Sequence, residues 1–565
     1  MTLLSQDPNW WKTATIYQIY PKSFCDSQAK GTGDIQGIIS KLDYLKHLGV
    51  DAIWLTPIYQ SPMIDNGYDI SDYYSVNPDF GTMGDFDELL AQAHQRGIRI
   101  VMDIVVNHTS TEHHWFQSAL GDKNSPYRDY YIWKDPIDGG EPNNWESKFG
   151  GNAWELDEKT GQYYLHLFAK EQADLNWENP TVREEVKRVI QFWAKKGVDG
   201  FRLDVINLIS KQQDFPSDDS GDGRKYYTDG PRVHEYLREI SDAVFQKYGS
   251  VTVGEMSSTT LEHCQQYSSL DQKELSMVFN FHHLKVDYPN GDKWTAADFD
   301  FIQLKQIFNT WQTGLNGKGW GALFWCNHDQ PRVVSRLGND TEYRVESAKM
   351  LGAAIHMMQG TPYVYQGEEF GMTNPGYQDL AQYRDVESTN MYDIMVSHQG
   401  VSHSDMMDIL RQKSRDNSRT PMQWNATNNA GFSGGTPWLD IANNYQEVNA
   451  ENAVADLNSV FYFYKRLIEL RKQVPVITDG TYLDLAPEHS QVFAYLRESG
   501  NQQLVCINNF YDNPVDYTLP SNIGVSQAKC ILGNYRTSQA DIQCEVQQLQ
   551  PYEVRILLIE RNVEA

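Results

Sequence analysis

The stretch GVDGFRLDVINLI, Gly197–Ile209, reads as a buried strand with two charges inside it. Val198, Phe201, Leu203, Val205 and Ile206 supply the apolar residues, and Gly197 and Gly200 open the run. Arg202 and Asp204 stand in its middle. Desolvating an unpaired ionised group is costly, so charges at such positions need partners. Residues two apart on a strand share a face. One R-x-D alone reads as a structural ion pair, but further stretches of the same kind change that reading.

Working outward, apolar β-branched runs recur at 14–21 (ATIYQIYP), 50–58 (VDAIWLTPI), 98–106 (IRIVMDIVV), 198–206, 251–256 (VTVGEM), 276–282 (SMVFNFH), 321–327 (GALFWCN) and 361–369 (TPYVYQGEE). Between them lie segments with helical apolar spacing, such as FDELLAQAHQRG, VREEVKRVIQFWAKKG and VHEYLREISDAVFQKYG. Several end in Gly, as helix C-termini prefer. Eight alternations of buried strand and amphipathic helix predict an α/β chain built on a parallel (β/α)8 TIM barrel, over residues 1–106 and 175–480. Residues 107–174 break the pattern with Trp-, Asn- and Gly-rich sequence, and predict a small subdomain inserted after strand three. From 481 to 565 the alternation shortens (QVFAYLRE, QLVCINNF, VRILLIE), which predicts a C-terminal antiparallel β domain of sandwich type.

The 565 residues carry a net charge of −27, from 48 Lys and Arg against 75 Asp and Glu. Without a basic run, that acidity argues against nucleic acid or an anionic membrane as partner. Six scattered cysteines without a C-x-x-C read as free thiols of a reducing compartment. MTLLSQDPNWWKTA lacks the basic and apolar regions of a signal peptide, so a cytoplasmic location is expected. Oligomeric state is not legible in the sequence.

In a (β/α)8 barrel, chemistry gathers at the C-terminal ends of the strands. Those ends carry Asp103, Asn107 and His108, then Arg202 and Asp204, then Glu255, then His328 and Asp329. Any one of them reads as a helix cap or a satisfied core residue. Several acids, two His and an Arg converging on one barrel mouth do not, because crowded acids repel one another. The segments DIVVNH (103–108), GFRLDV (200–205), GEMS (254–257) and FWCNHD (324–329), with QADLN (172–176), resemble the signature regions of the α-amylase superfamily of glycoside hydrolases. The resemblance implies Asp204 as nucleophile, Glu255 as general acid and base, and Asp329 as transition-state stabiliser in a retaining reaction. It further implies that Asp65, Tyr68, His108, Phe168, Arg202, His328, Arg332 and Arg415 bind substrate.

DNGYDI (65–70) and SRDNSRTPMQW (414–424) are similar to the exo-acting oligo-1,6-glucosidase group, on whose scaffold sucrose isomerases are also built. FNFHHLKVDY (279–288), GDGRKYYTDGP (221–231) and TVGEMSSTTLEHC (252–264) depart from that group and resemble trehalose-6-phosphate hydrolases. The expected substrate is therefore a phosphorylated disaccharide, α,α-trehalose 6-phosphate, with isomaltose or sucrose as the alternative. Arg224, Lys225, His282 and Lys285 are the candidate phosphate-binding residues. Relatives often hold Ca²⁺ in the loop after strand one. Here DSQAKGTGD (26–34) keeps Asp26, Gln28 and Asp34 but places Lys30 where a further Asp would stand, so no metal or other cofactor is expected.

Overall fold

The structure, a computed structural model, describes residues 7–219, 221–539, 542 and 545–561. The first six residues, on which the signal-peptide reading partly rests, and Cys544 lie outside them. Eight parallel strands form one sheet: β1 (Ile16–Ile19), β2 (Ala52–Leu55), β3 (Arg99–Ile104), β4 (Gly200–Leu203), β5 (Val251–Glu255), β6 (Met277–Phe279), β7 (Ala322–Leu323) and β8 (Thr361–Tyr365). Their order is β6-β5-β4-β3-β2-β1-β8-β7, and a parallel bridge from Val278 to Gly321 brings the two ends together. Every expected strand forms, each shorter than its apolar run.

The strands are apolar on both faces because the barrel interior lies on one side and the helical ring on the other. Every residue of β1, β2 and β3 is buried. The helices between them carry their own start and stop signals. In Pro180–Lys196, the Asn179 side chain accepts from Thr181 N–H, Pro180 opens the first turn, and Gly197 at φ 102° ends the helix. Three residues later β4 begins at Gly200. A Cβ there would lie 2.4 Å from Val251 Cγ1 and 2.6 Å from the Val251 carbonyl oxygen, so glycine is what lets β4 lie against β5. The resulting register sets Arg202 beside Asp103 on β3 and Val253 on β5.

Two excursions build walls above the barrel mouth. After β3, His108–Ser110 pairs antiparallel with Gln172–Asp174, tying the entry of the inserted segment to its exit. Between them Trp133–Lys134, Gln162–Leu165 and Trp154–Asp157 form a three-stranded antiparallel sheet. Buried Trp145, Trp154 and Leu167 of the inserted segment cluster with Val205, Leu208, Phe215 and Tyr227, which follow β4, so inserted segment and barrel loop share one small core. After β8, helices Val386–Asp393 and His403–Lys413 make a second wall around Met406, Met407 and Leu410. Both helices fall within the 175–480 span expected for the catalytic barrel domain.

The C-terminal domain is antiparallel. Strands β9 (Thr481–Asp484), β10 (Val492–Ser499), β11 (Gln502–Asn509), β12 (Val515–Thr518), β13 (Lys529–Gly533), β14 (Val546–Leu549) and β15 (Val554–Glu560) form a five-stranded sheet, β9-β10-β11-β15-β13, and a separate β12-β14 pair. Among the described residues no helix is long and apolar enough to cross a membrane, and the five described cysteines are unpaired.

Lys305, fully buried in helix Phe301–Leu315, fastens the C-terminal domain to the barrel. Its ammonium donates to the carbonyls of Ala486 at 2.5 Å, His489 at 2.6 Å and Val492 at 3.3 Å. Lys305→Met removes all three donors, and a buried acceptor left unsatisfied costs about 1–3 kcal/mol. The variant should melt several degrees lower by differential scanning calorimetry, with an unchanged circular dichroism spectrum at 25 °C. An unshifted midpoint would show that the junction does not need this contact.

Candidate active site

Arg202 lies at the floor of the barrel mouth, 1% exposed. Its Nη1 donates to Asp103 Oδ1 at 2.8 Å and to Asp204 Oδ1 at 2.6 Å, while Nη2 lies 2.6 Å from Glu255 Oε2. Three strands thus deliver three carboxylates to one guanidinium. A planar fork of donors suits this task as a lysine would not. Asp103 is further fixed by Trp54 Nε1 at 3.1 Å and Tyr68 OH at 3.0 Å. Immediately after β4 the chain turns sharply: Val205 adopts φ 35°, ψ 41°, and its N–H donates to Glu255 Oε2 at 3.1 Å. Asp204 and Glu255 share one guanidinium, so the two carboxyl groups stand side by side, within hydrogen-bond reach of each other.

Burial raises the pKa of both acids, and Arg202 opposes it in both. Glu255 is pushed up to about 8, with the charges of Asp204 and Asp329 adding to the effect of burial. The hydrogen bond with Glu255 lowers Asp204 against burial, so the proton of the pair sits on Glu255. One carboxyl stays protonated beside one carboxylate, as acid and nucleophile require.

Asp329 lies in the opposite kind of field. Burial disfavours its charge, but His328, Arg415, Arg419 and Arg202 outweigh burial and hold it far below the usual carboxylate range. Its Oδ1 accepts from Arg419 Nη2 at 2.7 Å and Arg415 Nη1 at 3.3 Å. Arg415 also reaches Asp385 at 2.5 Å and Asp65 at 3.0 Å. Arg419, four residues on from Arg415, was missed in the sequence although SRDNSR contains both. His328 is buried behind Asp329 and its pKa is pushed down to about 3, chiefly by desolvation, so it is neutral. Gln18 Nε2 donates to its Nδ1 at 2.8 Å, which leaves Nε2–H as the free donor, 3.2 Å from Asp329 Oδ2.

Above these groups opens a pocket of about 270 Å³. Of the expected substrate-binding residues, Asp65, Tyr68, His108, Phe168 and Arg415 line it together with Asp204, Glu255 and Asp329. His108 Nε2 is committed to the Tyr68 carbonyl at 3.0 Å, so this imidazole supports the wall more than it offers a donor. Arg332 is a correction: its guanidinium is buried behind the pocket and donates to the carbonyls of Gln366 and Ser418, bracing the loops after β8.

The rim carries cations. Lys285 lines the pocket, joined by Lys148 from the inserted subdomain and Lys293 from the loop after β6, neither of which the sequence reading named. Arg224 is close enough to depress the lysine pKa of both Lys148 and Lys285. Two other candidates turn away from the pocket. Lys225 pairs with Asp218 at 2.7 Å, and the His282 ring packs 5.1 Å from Trp311. Local partners claimed both side chains, which sequence spacing cannot show.

The loop after β1 does not fit a cation. Asp26 accepts from Gln28 N–H, Gly31 N–H and Ser433 Oγ–H, and Asp34 caps a helix through Gly37 N–H and binds Ser27. The carboxylates are taken up by N–H and O–H donors, and among the described residues no group of three His, Cys, Asp or Glu is placed to hold a metal.

Residues 18–480 match the family model described as alpha amylase, catalytic domain, and residues 484–556 match maltogenic amylase, C-terminal domain. The chain is 60% identical over 548 residues to the trehalose-6-phosphate hydrolase of Bacillus subtilis (strain 168), covering 96% of this chain and 97% of that protein. It is 50% identical over 556 residues to the oligo-1,6-glucosidase of Parageobacillus thermoglucosidasius, covering 97% and 99%. The crystal structure of Bacillus licheniformis trehalose-6-phosphate hydrolase superposes with a TM-score of 0.94 at 57% identity, covering 98% of this chain and all of that one.

The shared guanidinium makes the two acids interdependent. In Asp204→Asn, Glu255 loses a neighbouring negative charge and Arg202 loses a competing partner, so Glu255 should titrate well below 8. Infrared difference spectra of its protonated carboxyl band against pH would show the shift. An unmoved midpoint would mean that the charge of Asp204 does not help to set it.

Proposed function

This chain belongs to the alpha-amylase family of glycoside hydrolases, and from that premise we propose that it hydrolyses α,α-trehalose 6-phosphate to glucose and glucose 6-phosphate with retention at the anomeric carbon. The terminal glucose enters the pocket toward Asp65, Tyr68 and Arg415. An Asp204 oxygen attacks its anomeric carbon as the bond to the bridging oxygen breaks, and Glu255 gives its proton to that oxygen, which leaves as glucose 6-phosphate. Water then attacks the same carbon, Glu255 takes a proton from it, and the bond to Asp204 breaks to release α-glucose. Asp329, kept ionised by two arginines, favours the positive charge that develops on the sugar. The His328 Nε2–H is a donor for a sugar hydroxyl.

One observation carries the substrate assignment. A chain of net charge −27 has an acidic catalytic floor, yet the rim of its pocket gathers Lys148, Lys285 and Lys293, with Arg224 beside them. Neither Lys148 nor Lys285 has a carboxylate within 4 Å among the described residues. Two lysines crowded by like charge, with no carboxylate at ion-pair distance, suit a dianionic ligand, and the leaving glucose of trehalose 6-phosphate would carry its phosphate on this side. The second reading, an oligo-1,6-glucosidase, rests on the 50% identical relative of that name. Free thiols at all five described cysteines favour the reducing cytoplasm as its compartment.

Wild-type protein should therefore turn over trehalose 6-phosphate faster than isomaltose or sucrose, and proton NMR should show α-glucose as the first-formed sugar. Initial β-glucose would overturn retention, and preference for isomaltose would favour the second reading. A charge-assisted contact to phosphate is worth about 1.5–3 kcal/mol. Lys285→Ala should thus lower kcat/KM for trehalose 6-phosphate about tenfold or more relative to p-nitrophenyl α-glucoside. Equal losses on both substrates would place the phosphate elsewhere.

A further inference from the structure

Lys148 belongs to the inserted subdomain but acts across the pocket wall. Its main-chain N–H donates to the Leu167 carbonyl at 2.8 Å, which anchors it within the subdomain. Its Nζ crosses to the barrel and meets Ser257 Oγ at 3.1 Å. Ser257 follows Glu255 by two residues and is held by Asn207, whose side chain bonds its N–H at 3.0 Å and its carbonyl at 2.9 Å. Ser258, next in the chain, takes φ 54°, so the turn that receives the ammonium passes through the left-handed region.

The groups facing Lys148 come from three elements. Arg224 and Asp222 lie in the loop after β4, Lys285 in the loop after β6, and Glu255 at the end of β5. The Tyr227 ring centre is 5.3 Å away. Both acids lie beyond ion-pair distance, so two cations and an aromatic face dominate the surroundings. Lys285 stands exposed at the rim and Arg224 keeps a loose contact to Asp222 at 3.5 Å.

We propose that Lys148 is the specificity-determining contact for the substrate phosphate, and that it takes up a proton from solvent as the dianion binds. The inference rests on the reading of the substrate as trehalose 6-phosphate. Burial, then the charges of Arg224 and Lys285, push the pKa of Lys148 down to about 7 in the free protein. A phosphate dianion set among the three cations reverses the second effect and restores the charge. Preference for the phosphorylated substrate is then greatest below pH 7 and declines as pH rises through that value, because a growing share of free protein must first be protonated. On the acid side, the phosphate's own second ionisation near pH ~6 limits the effect.

The test compares kcat/KM for trehalose 6-phosphate with that for unphosphorylated α,α-trehalose, whose leaving glucose needs the same proton from Glu255, between pH 6.5 and 9. Their ratio cancels the titration of Asp204 and Glu255, which both substrates share. In wild type the ratio should fall about tenfold across this range, the order of one charge-assisted contact. Lys148→Arg, whose guanidinium stays charged, should flatten the decline to less than about threefold. Lys148→Met should lower the ratio about tenfold already at pH 6.5. An arginine variant that keeps the wild-type decline would assign the proton to another group, Lys285 first. A methionine variant that loses both activities equally would make Lys148 a support for Ser257 and Glu255, and would overturn the inference. If wild type fails to hydrolyse trehalose 6-phosphate at all, it is the substrate assignment that falls.

Discussion

The molecule depends on one buried guanidinium. Arg202 binds Asp103, Asp204 and Glu255 at 2.6–2.8 Å with almost no access to water. Removing one member of such a cluster leaves an uncompensated buried charge, so the four groups stand or fall together. They come from three adjacent parallel strands, and only one register brings them together. A slip of one residue in β4 would turn Arg202 and Asp204 out of the barrel. Gly200 is part of the same constraint, since any side chain there would separate β4 from β5.

From that centre the site divides into two electrostatic regions. Around Arg202 three acids share one cation, burial dominates, and a proton remains on Glu255 near neutrality. Around Asp329 two arginines serve a carboxylate, and burial loses. Carboxyl groups lining one pocket therefore occupy opposite protonation states, because charge balance differs between β4–β5 and the segment after β8. Excess negative charge on one side makes an acid, and excess positive charge on the other keeps an anion.

The excursions complete what the barrel begins. The inserted subdomain shares a core with the loop after β4, so Lys148 and Phe149 are positioned by packing that also involves Val205, the neighbour of Asp204. The segment after β8 supplies Asp385, Glu387, Arg415 and Arg419. Glu387 accepts from Lys293 at 2.7 Å and lies 3.4 Å from Arg415, which leaves Lys148 and Lys285 as the rim lysines without a carboxylate at ion-pair distance among the described residues. The rim is thus locally positive on a strongly acidic protein, and the proposed preference for a phosphorylated sugar rests on that contrast.

What the sequence determined by itself is the barrel and its floor. Eight apolar runs separated by helical periodicity leave few other folds, and period two along VDGFRLDVI puts Arg202 and Asp204 on one face whatever surrounds them. Asp103, Glu255 and Asp329 are legible for the same reason, as acids at strand ends where local geometry is stereotyped. The rim was decided only in three dimensions. Lys148 in NNWESKFGG, Lys293 and Glu387 look like any solvated loop residues, and Lys225 looks as good a phosphate ligand as Lys285 until Asp218 is seen to hold it. Arg332 and Arg419 are equally plausible on paper, yet one braces main-chain carbonyls and the other grips Asp329. Strand direction follows from backbone sterics a few residues long, whereas a loop side chain points where distant elements leave it room and a partner.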